Sequence, residues 1–237
     1  MVLLGSDGSS VHSNQQGVHE QLHKTLERHR GKAFQKPIAV HTKSAFEAVQ
    51  ARLNTEPDRP LVLDSGCGVG ESTQHLAQRH PKAWVIGIDK SAHRLGKSSA
   101  DTPKLQSLVH QQDNALWVRA DLIDVWRLAQ QAQWRPTHHY LLYPNPWPKS
   151  EHLQRRWHGH SIFATILALG GRLELRSNWR LYVEEFHQAL RFYEIAATPA
   201  ESFTPTTLIT PFERKYTERG EPLYRLTAAL PTDFQHE

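Results

Sequence analysis

This chain of 237 residues has little cysteine, and Cys67 is the only one in the sequence. A single cysteine excludes an internal disulfide and any metal site built from several cysteines. No stretch approaches the roughly 18 apolar residues that a membrane-spanning helix needs. The start of the chain has neither a basic segment nor an apolar run of signal-peptide length. We therefore predict a cytoplasmic protein without a membrane segment.

Neither sign of charge is in large excess, because 28 Lys and Arg residues face 24 Asp and Glu residues, for a net charge of +4. This balance permits an anionic partner but does not identify one. The 16 histidines are interpreted as mostly solvated side chains, and we predict no metal site. Residues 1–17 are polar, rich in Gly and Ser and aperiodic, which predicts a disordered tail without a catalytic role. Residues 18–237 have the length of a single domain.

Two helices are predicted ahead of the core. The first places Val18, Leu22 and Leu26 on one apolar stripe. Ser44 followed by Glu47 has the form of a capping box, which predicts the start of the second helix.

Five short apolar runs bounded by turn residues predict the strands of a mostly parallel sheet. Two later β-like runs, 206–210 and 222–228, are predicted to pair antiparallel at one edge. Helical patterns lie between the main runs, so we expect an α/β fold with a Rossmann-like, doubly wound sheet. The five main strands are predicted at 61–63, 84–89, 116–121, 138–143 and 172–177.

A glycine-rich turn joins the first predicted strand to a helical pattern at 71–79. Gly66, Gly68 and Gly70 alternate there after Asp64, and glycine provides turn freedom and allows a ligand to approach the backbone closely. The spacing is G-x-G-x-G, which differs from the G-x-G-x-x-G of dinucleotide-binding turns.

Acidic residues end the second and third predicted strands. Asp89 is in the position where a carboxylate accepts the two hydroxyl groups of a ribose, and Asp121 is in a position to accept an adenine amino hydrogen. Together with the glycine turn, this arrangement resembles the class I S-adenosylmethionine methyltransferases. The resemblance implies that S-adenosylmethionine is the cofactor and is bound by Asp64, Gly66, Gly68, Gly70, Asp89 and Asp121.

The fourth predicted strand leads into the sequence YPNPWPKSEHLQRR. Its prolines stiffen a loop that we expect to place Asn145 and Trp147 against a substrate. Lys149, Arg155 and Arg156 add positive charge next to an aromatic ring, a combination suited to phosphates and an unstacked base.

Three motifs in order resemble the tRNA (guanine-N7)-methyltransferase family. The family sequence PDPWPK stands here as PNPWPK at 144–149, its T-D-W as Ser-Asn-Trp at 177–179, and its T-x-[FY]-E as Thr-Pro-Phe-Glu at 210–213. The resemblance implies a guanine in the variable loop of tRNA as the substrate. It assigns catalytic roles to Asn145, Lys149 and Asn178, and substrate binding to Trp147, Lys149, Arg155, Arg156, Asn178, Thr210 and Glu213.

This chain has asparagine at 145 and 178, where the family has aspartate. A carboxylate accepts from both N1–H and N2–H of guanine, whereas an amide is neutral and also presents donors. Two alternatives therefore stay open. Asn145 and Pro146 also resemble part of the N-P-P-[YFW] motif of amino-group methyltransferases, and the chain could instead be a catalytically weak RNA-binding paralogue.

Overall fold

The computed structural model describes residues 3–4, 10–11, 13–96 and 107–234. Of the predicted tail, residues 1–2, 5–9 and 12 lie outside the described part. Strand β1 (Leu3–Leu4) pairs antiparallel with β2 (Ser10–Val11).

An eight-stranded sheet forms the centre of the molecule, in the order β5-β6-β4-β3-β7-β8-β10-β9. The five strands from β6 to β8 in this order run parallel, and β5, β10 and β9 pair antiparallel with their neighbours. This confirms the predicted α/β sheet with an antiparallel C-terminal edge. The strands are β3 (Leu61–Ser65), β4 (Trp84–Asp89), β5 (Val109–Gln112), β6 (Ala115–Arg119), β7 (His138–Leu142), β8 (Gly171–Ser177), β9 (Glu201–Phe203) and β10 (Leu223–Leu230).

Helices cover both faces of the sheet because alternate strand residues point to opposite sides. Leu61 and Leu63 of β3 belong to one apolar cluster and Val62 belongs to the other. None of the helices in the described ranges is long and apolar enough to cross a membrane. The helices are α1 (Leu22–His29), α2 (Val40–Leu53), α3 (Glu71–Arg79), α4 (Ala92–Leu95), α5 (Leu122–Gln131), α6 (Phe163–Ala168), α7 (Arg180–Phe192) and α8 (Pro211–Glu218), with 3₁₀ turns at Ser150–Arg155 and Trp157–Gly159.

Both helix starts predicted before the core were wrong. Helix α1 begins at Leu22, and Val18 is 43% exposed rather than part of the buried stripe. Helix α2 begins at Val40, so Ser44 lies inside the helix and does not cap it. The buried face of α2 extends about one turn farther towards its N-terminus than the capping pattern indicated, since Thr42 is also buried.

The prediction of a strand at 206–210 was also wrong. The strand that pairs with β10 is Glu201–Phe203, and residues after it lead into α8. Thr210 caps this helix, because its hydroxyl accepts a hydrogen bond from the Glu213 amide at 3.0 Å. Pro211 occupies the first turn, where its missing N–H costs nothing. The cap and Pro211 therefore place Thr210 at the start of a helix rather than at the end of a strand.

Candidate active site

A cavity of about 420 Å³ opens at the carboxyl ends of the parallel strands. Chain order runs outward from β3 to β6 on one side and from β7 to β8 on the other. The cavity therefore lies at the reversal point, where α/β sheets bind ligands. Its walls come from the turn after β3, the ends of β4 and β6, the loop after β7 and the start of α8.

The glycine turn forms one wall of this cavity. Gly66 and Gly68 have φ angles of +87° and +60°, a conformation that L side chains rarely adopt. The amides of Gly66 and Cys67 donate to the Ile88 carbonyl at 2.8 and 3.1 Å, which fixes the turn to β4. Gly70, the last predicted glycine, caps α3 and does not line the cavity.

Asp89 lies in the cavity wall although its residue is only 3% exposed. Its Oδ1 accepts from the Ser91 amide at 2.8 Å and from Arg94 at 3.0 Å, and its Oδ2 accepts from the Gly68 amide at 3.1 Å. A carboxylate has about four acceptor positions. Asp89 therefore retains acceptor capacity on Oδ2 for a ligand hydroxyl.

Asp121 combines two tasks. Its side chain caps α5 by accepting from the Ile123 amide at 3.0 Å, and the residue also lines the cavity. The carboxylate is thereby held in one orientation at the end of β6. Asp121 can cap the helix and also line the cavity, since the cap uses only one of its two carboxylate oxygens.

Asp64 lies behind the wall rather than in it. Its Oδ2 accepts from the hydroxyls of Ser72 and Thr73 at 2.6 and 2.7 Å, so it ties β3 to the start of α3. Burial raises the pKa of Asp64 to about 6, against the opposing effect of these two hydrogen bonds. The structure thus gives Asp64 a positioning role instead of the predicted direct contact.

The loop after β7 forms the opposite wall, with Asn145, Trp147 and Arg155 among its lining residues. Trp147 has a φ of +45°, and its amide donates to Asn145 Oδ1 at 3.3 Å. The Arg155 guanidinium lies over the Trp147 ring, 4.8 Å from its centroid. An aromatic ring and an exposed cation therefore line the same cavity as the glycine turn.

Arg156 and Lys149 do not belong to this wall. The Arg156 side chain is fully buried and pairs with Glu185 at 2.5 Å, which corrects its predicted place among the substrate-binding cations. Lys149 is exposed at the start of the first 3₁₀ turn, outside the cavity lining. Of the three predicted cations, the cavity includes Arg155.

The two C-terminal motifs divide between the wall and the core. Thr210 lines the cavity, whereas Glu213 is completely buried and accepts from Arg176 at 2.6 Å and from the Ile209 amide at 2.8 Å. Glu213 therefore fixes the start of α8 to β8. Asn178 is 6% exposed and lies outside the cavity lining, just after β8, the strand that pairs with β7.

Sequence reasoning missed several wall residues. Trp157 lines the cavity and packs edge-on against Trp126 at 4.8 Å. His160 also lines the cavity, and burial, followed by the charge of His29, lowers its pKa. Local pattern gave no signal for these two residues because the turns after the loop bring them to the cavity. The other missed lining residues include Cys67, Lys90, Arg94 and Phe212.

A further motif was overlooked: His19-Glu20-Gln21-Leu22-His23 has the H-E-x-x-H spacing of zinc proteases. That motif requires both histidines on one helix face, but α1 begins only at Leu22. His19 Nδ1 instead accepts from the Gln21 amide at 3.0 Å. Within residues 13–96 and 107–234, no three His, Cys, Asp or Glu side chains form a metal-binding group.

Comparison with known proteins agrees with this geometry. A tRNA (guanine-N(7)-)-methyltransferase of Lactococcus lactis subsp. cremoris (strain MG1363) is 28% identical over 187 residues, covering 72% of this chain and 80% of that protein. One of Neisseria meningitidis serogroup C is 26% identical over 186 residues, covering 75% and 74%. The solved 16S rRNA methyltransferase KamB shares the fold, with a TM-score of 0.51 at 16% identity over 85% of this chain and 98% of that one.

The cavity fits the predicted cofactor. The glycine turn leaves space next to the backbone, since no atom lies within 4 Å of a Cβ built on Gly68. Asp89 retains an acceptor for a ribose hydroxyl, and Asp121 lies at the next strand end. The family described as "Putative methyltransferase" matches residues 58–226. This match spans most of the sequence, so the chain belongs to that methyltransferase family, and S-adenosylmethionine is its methyl donor.

Proposed function

We propose that this protein is a tRNA (guanine-N7)-methyltransferase that acts on a guanine of the tRNA variable loop. The observation that carries this proposal is the Trp147 and Arg155 pair on the wall opposite Asp89. An aromatic face stacks on any unstacked base, and a neighbouring guanidinium attracts the phosphate backbone. The curated relatives named above support the choice of tRNA, a substrate found in the cytoplasm.

Four residues are proposed to hold S-adenosylmethionine: Gly66, Gly68, Asp89 and Asp121. When bound, the cofactor supplies an electrophilic methyl group on a sulfonium. The glycine turn admits it close to the backbone, and the buried Asp89 carboxylate accepts ribose hydroxyls. The Gly68 amide and Arg94 hold Asp89 in place before the ligand arrives, so little side-chain freedom is lost on binding.

Guanine N7 is an exposed lone pair, so no protein base has to remove a proton before the methyl group is transferred. The enzyme's contribution is to place N7 in line with the methyl group. Trp147 supplies a stacking surface, and Arg155 lies over one face of its ring.

Asn145 is the residue that sets how tightly guanine is held in this proposal. Its Oδ1 accepts from the Trp147 amide, so part of its acceptor capacity is used within the loop. Hydrogen bonds to charged groups contribute about 1.5–3 kcal/mol, against about 1 kcal/mol for neutral ones. A neutral amide here therefore weakens guanine capture relative to a carboxylate by about 1–2 kcal/mol, or roughly 5- to 30-fold.

One observation favours a second candidate, methylation of an exocyclic amino group. Asn145 and the adjoining Pro146 lie at the end of a parallel strand and Asn145 lines the cavity, the position at which an amide oxygen can accept amine hydrogens. A catalytically weak RNA-binding protein is the third reading. It would bind S-adenosylmethionine and RNA without methyl transfer.

The primary experiment is incubation of the protein with labelled S-adenosylmethionine and total tRNA, followed by nucleoside mass spectrometry. We expect N7-methylguanosine. A methylated exocyclic amine would establish the second candidate, and binding of both ligands without any methylated nucleoside would establish the third.

The variant Asn145→Asp separates the two catalytic readings. For a guanine-N7 enzyme it should raise N7-methylguanosine formation, mainly through a lower KM. For an amino-group enzyme it should abolish the native activity. Asn178→Asp, alone and combined with Asn145→Asp, extends the test, since Asn178 also stands where the family has aspartate.

A further inference from the structure

Residues 13–19, which we call the N-terminal strap, lie against the loop that carries Trp147. Three successive carbonyl oxygens of this loop accept hydrogen bonds. Trp147 O accepts from Arg156 Nε at 3.2 Å, Pro148 O accepts from Ser13 Oγ at 2.8 Å, and Lys149 O accepts from Arg156 Nη2 at 3.2 Å. Strap and buried arginine thus hold the loop backbone between them.

The strap also completes the buried ion pair behind the loop. Gln15 uses both ends of its amide: Oε1 accepts from Arg156 at 3.0 Å and Nε2 donates to Glu185 at 2.5 Å. The His19 amide donates to the same Glu185 oxygen at 2.9 Å. His158 shares the other oxygen at 2.9 Å. Buried charges need every polar partner satisfied, so the strap belongs to the network that fixes Arg156.

Trp147 needs this support because of its backbone. A φ of +45° is unfavourable for a residue with a bulky side chain, and such conformations persist only where surrounding contacts determine them. The prolines on either side of Trp147 have no N–H with which to anchor the loop. The carbonyl contacts therefore hold the loop backbone together with the Trp147 amide, which donates to Asn145 Oδ1.

We propose that the N-terminal strap is a positioning element of the base-binding wall, acting through Gln15 and Ser13 on the loop of Trp147. This inference rests on the proposed function for its catalytic consequence but not for its structural one. Neither residue lines the cavity. Both act through Arg156 or the loop backbone, so they influence the placement of the Trp147 ring rather than contact with substrate.

The test compares Gln15→Ala with Gln16→Ala, which changes the exposed neighbouring glutamine. Hydrogen exchange read by mass spectrometry should show faster exchange in peptides covering 144–158 for Gln15→Ala, with unchanged exchange in β3. The kcat/KM for tRNA methylation should fall about tenfold, while the affinity for S-adenosylmethionine by calorimetry stays at the wild-type value. Gln16→Ala should match the wild type in all three measurements.

Ser13→Ala and Ser13→Thr provide a second pair of variants at the rim of the network. Loss of the hydroxyl should speed exchange in 144–158, and threonine should restore slow exchange. The inference is overturned if Gln15→Ala and Gln16→Ala exchange alike at 144–158, or if exchange rises equally in β3, which would indicate general destabilisation. If the wild type methylates no RNA, the proposed function fails while the exchange data still decide the role of the strap.

Discussion

The two walls of the cavity are built in different ways. On the wall that we propose for the cofactor, here called the cofactor wall, each residue follows directly from its own strand: the glycine turn from β3, Asp89 from β4 and Asp121 after β6. On the wall that we propose for the base, here called the base wall, the loop after β7 has no regular structure at Trp147 and is held by Arg156 and the N-terminal strap. The first wall depends on short-range backbone geometry, and the second depends on side chains distant in sequence.

Two adjacent arginines show what this difference means. Arg155 is exposed and lies over Trp147 at the cavity, whereas Arg156 is completely buried in an ion pair with Glu185. The same side chain at consecutive positions therefore lines the cavity in one case and forms part of the buried core in the other. A charged residue in the sequence of this loop therefore does not by itself show whether its side chain lines the cavity or is buried.

The largest expected effect is on the free energy of unfolding, when the buried arginine is removed. Arg156→Ala leaves the Glu185 carboxylate buried without its cation, and such changes lower the free energy of unfolding by about 3–5 kcal/mol. Arg155→Ala should change it by no more than about 0.5 kcal/mol, as is usual at the surface. Urea denaturation of both variants measures the difference. Equal stability of the two would contradict the contrast between these residues.

On the cofactor wall, we expect Asp89→Asn to weaken S-adenosylmethionine binding by about 1.5–3 kcal/mol, since it removes a charge-assisted acceptor. Asp64→Asn is the control, because Asp64 binds Ser72 and Thr73 behind the wall. Its effect on affinity should stay below about 1 kcal/mol. Calorimetry with each variant measures the affinity. A larger loss for Asp64→Asn would indicate that Asp64 contacts the cofactor directly.

A third prediction concerns His139 of β7, whose ring forms a hydrogen bond with Ser65 of β3 at 2.8 Å. Burial lowers its pKa from 6.5 to about 3. Below pH 6.5 the unfolded chain therefore binds a proton that the folded chain does not, so stability is present above pH 6.5 and is lost as pH falls towards 3. The wild type should lose about 1.4 kcal/mol more per pH unit than His139→Gln between pH 6 and 4.

Denaturation midpoints at several pH values measure this slope for both proteins. His139→Gln is expected to be less stable at pH 7, which does not affect the comparison of slopes. Parallel pH profiles for the two proteins would show that His139 does not stay neutral in the folded state.

The smallest effect concerns RNA binding at the base wall. Arg155→Ala and Lys149→Ala should each reduce the slope of log K against log salt by about one. Both residues are exposed, so stability should change little. Filter binding of tRNA at several salt concentrations checks the slope. An unchanged slope in both variants would mark these cations as solvated surface charges.

Sequence predicted the strands, the turn and the helix of the cofactor wall well because their signals are local. The helix predicted at 71–79 has those bounds in the structure, and the glycine turn and Asp89 lie where the strand pattern placed them. Asp64 was predicted to contact the cofactor, but two hydroxyls one helical turn away hold it behind the wall.

The base wall was predicted in part. The loop and Thr210 lie at the cavity, whereas Arg156 and Glu213 are buried by partners on α7, β8 and the segment before α8. Arg156 is 29 residues from its partner Glu185, and Glu213 is 37 residues from its partner Arg176. No local sequence pattern contains either pair. Strand β5 was not predicted from the sequence. Its last two residues are both glutamine, so the segment lacks the alternation of apolar and polar residues that indicates a strand.

The two outermost strands have a consequence for how copies of this protein meet. A sheet edge offers unpaired backbone groups to any other chain, and long apolar edges invite aggregation. Here β9 has three residues and is bound to its neighbour by an ion pair between Glu201 and Arg225 at 2.7 Å. At the other side, β5 has four residues and ends in exposed glutamines. Both borders are short and polar, which disfavours strand-to-strand addition at high protein concentration.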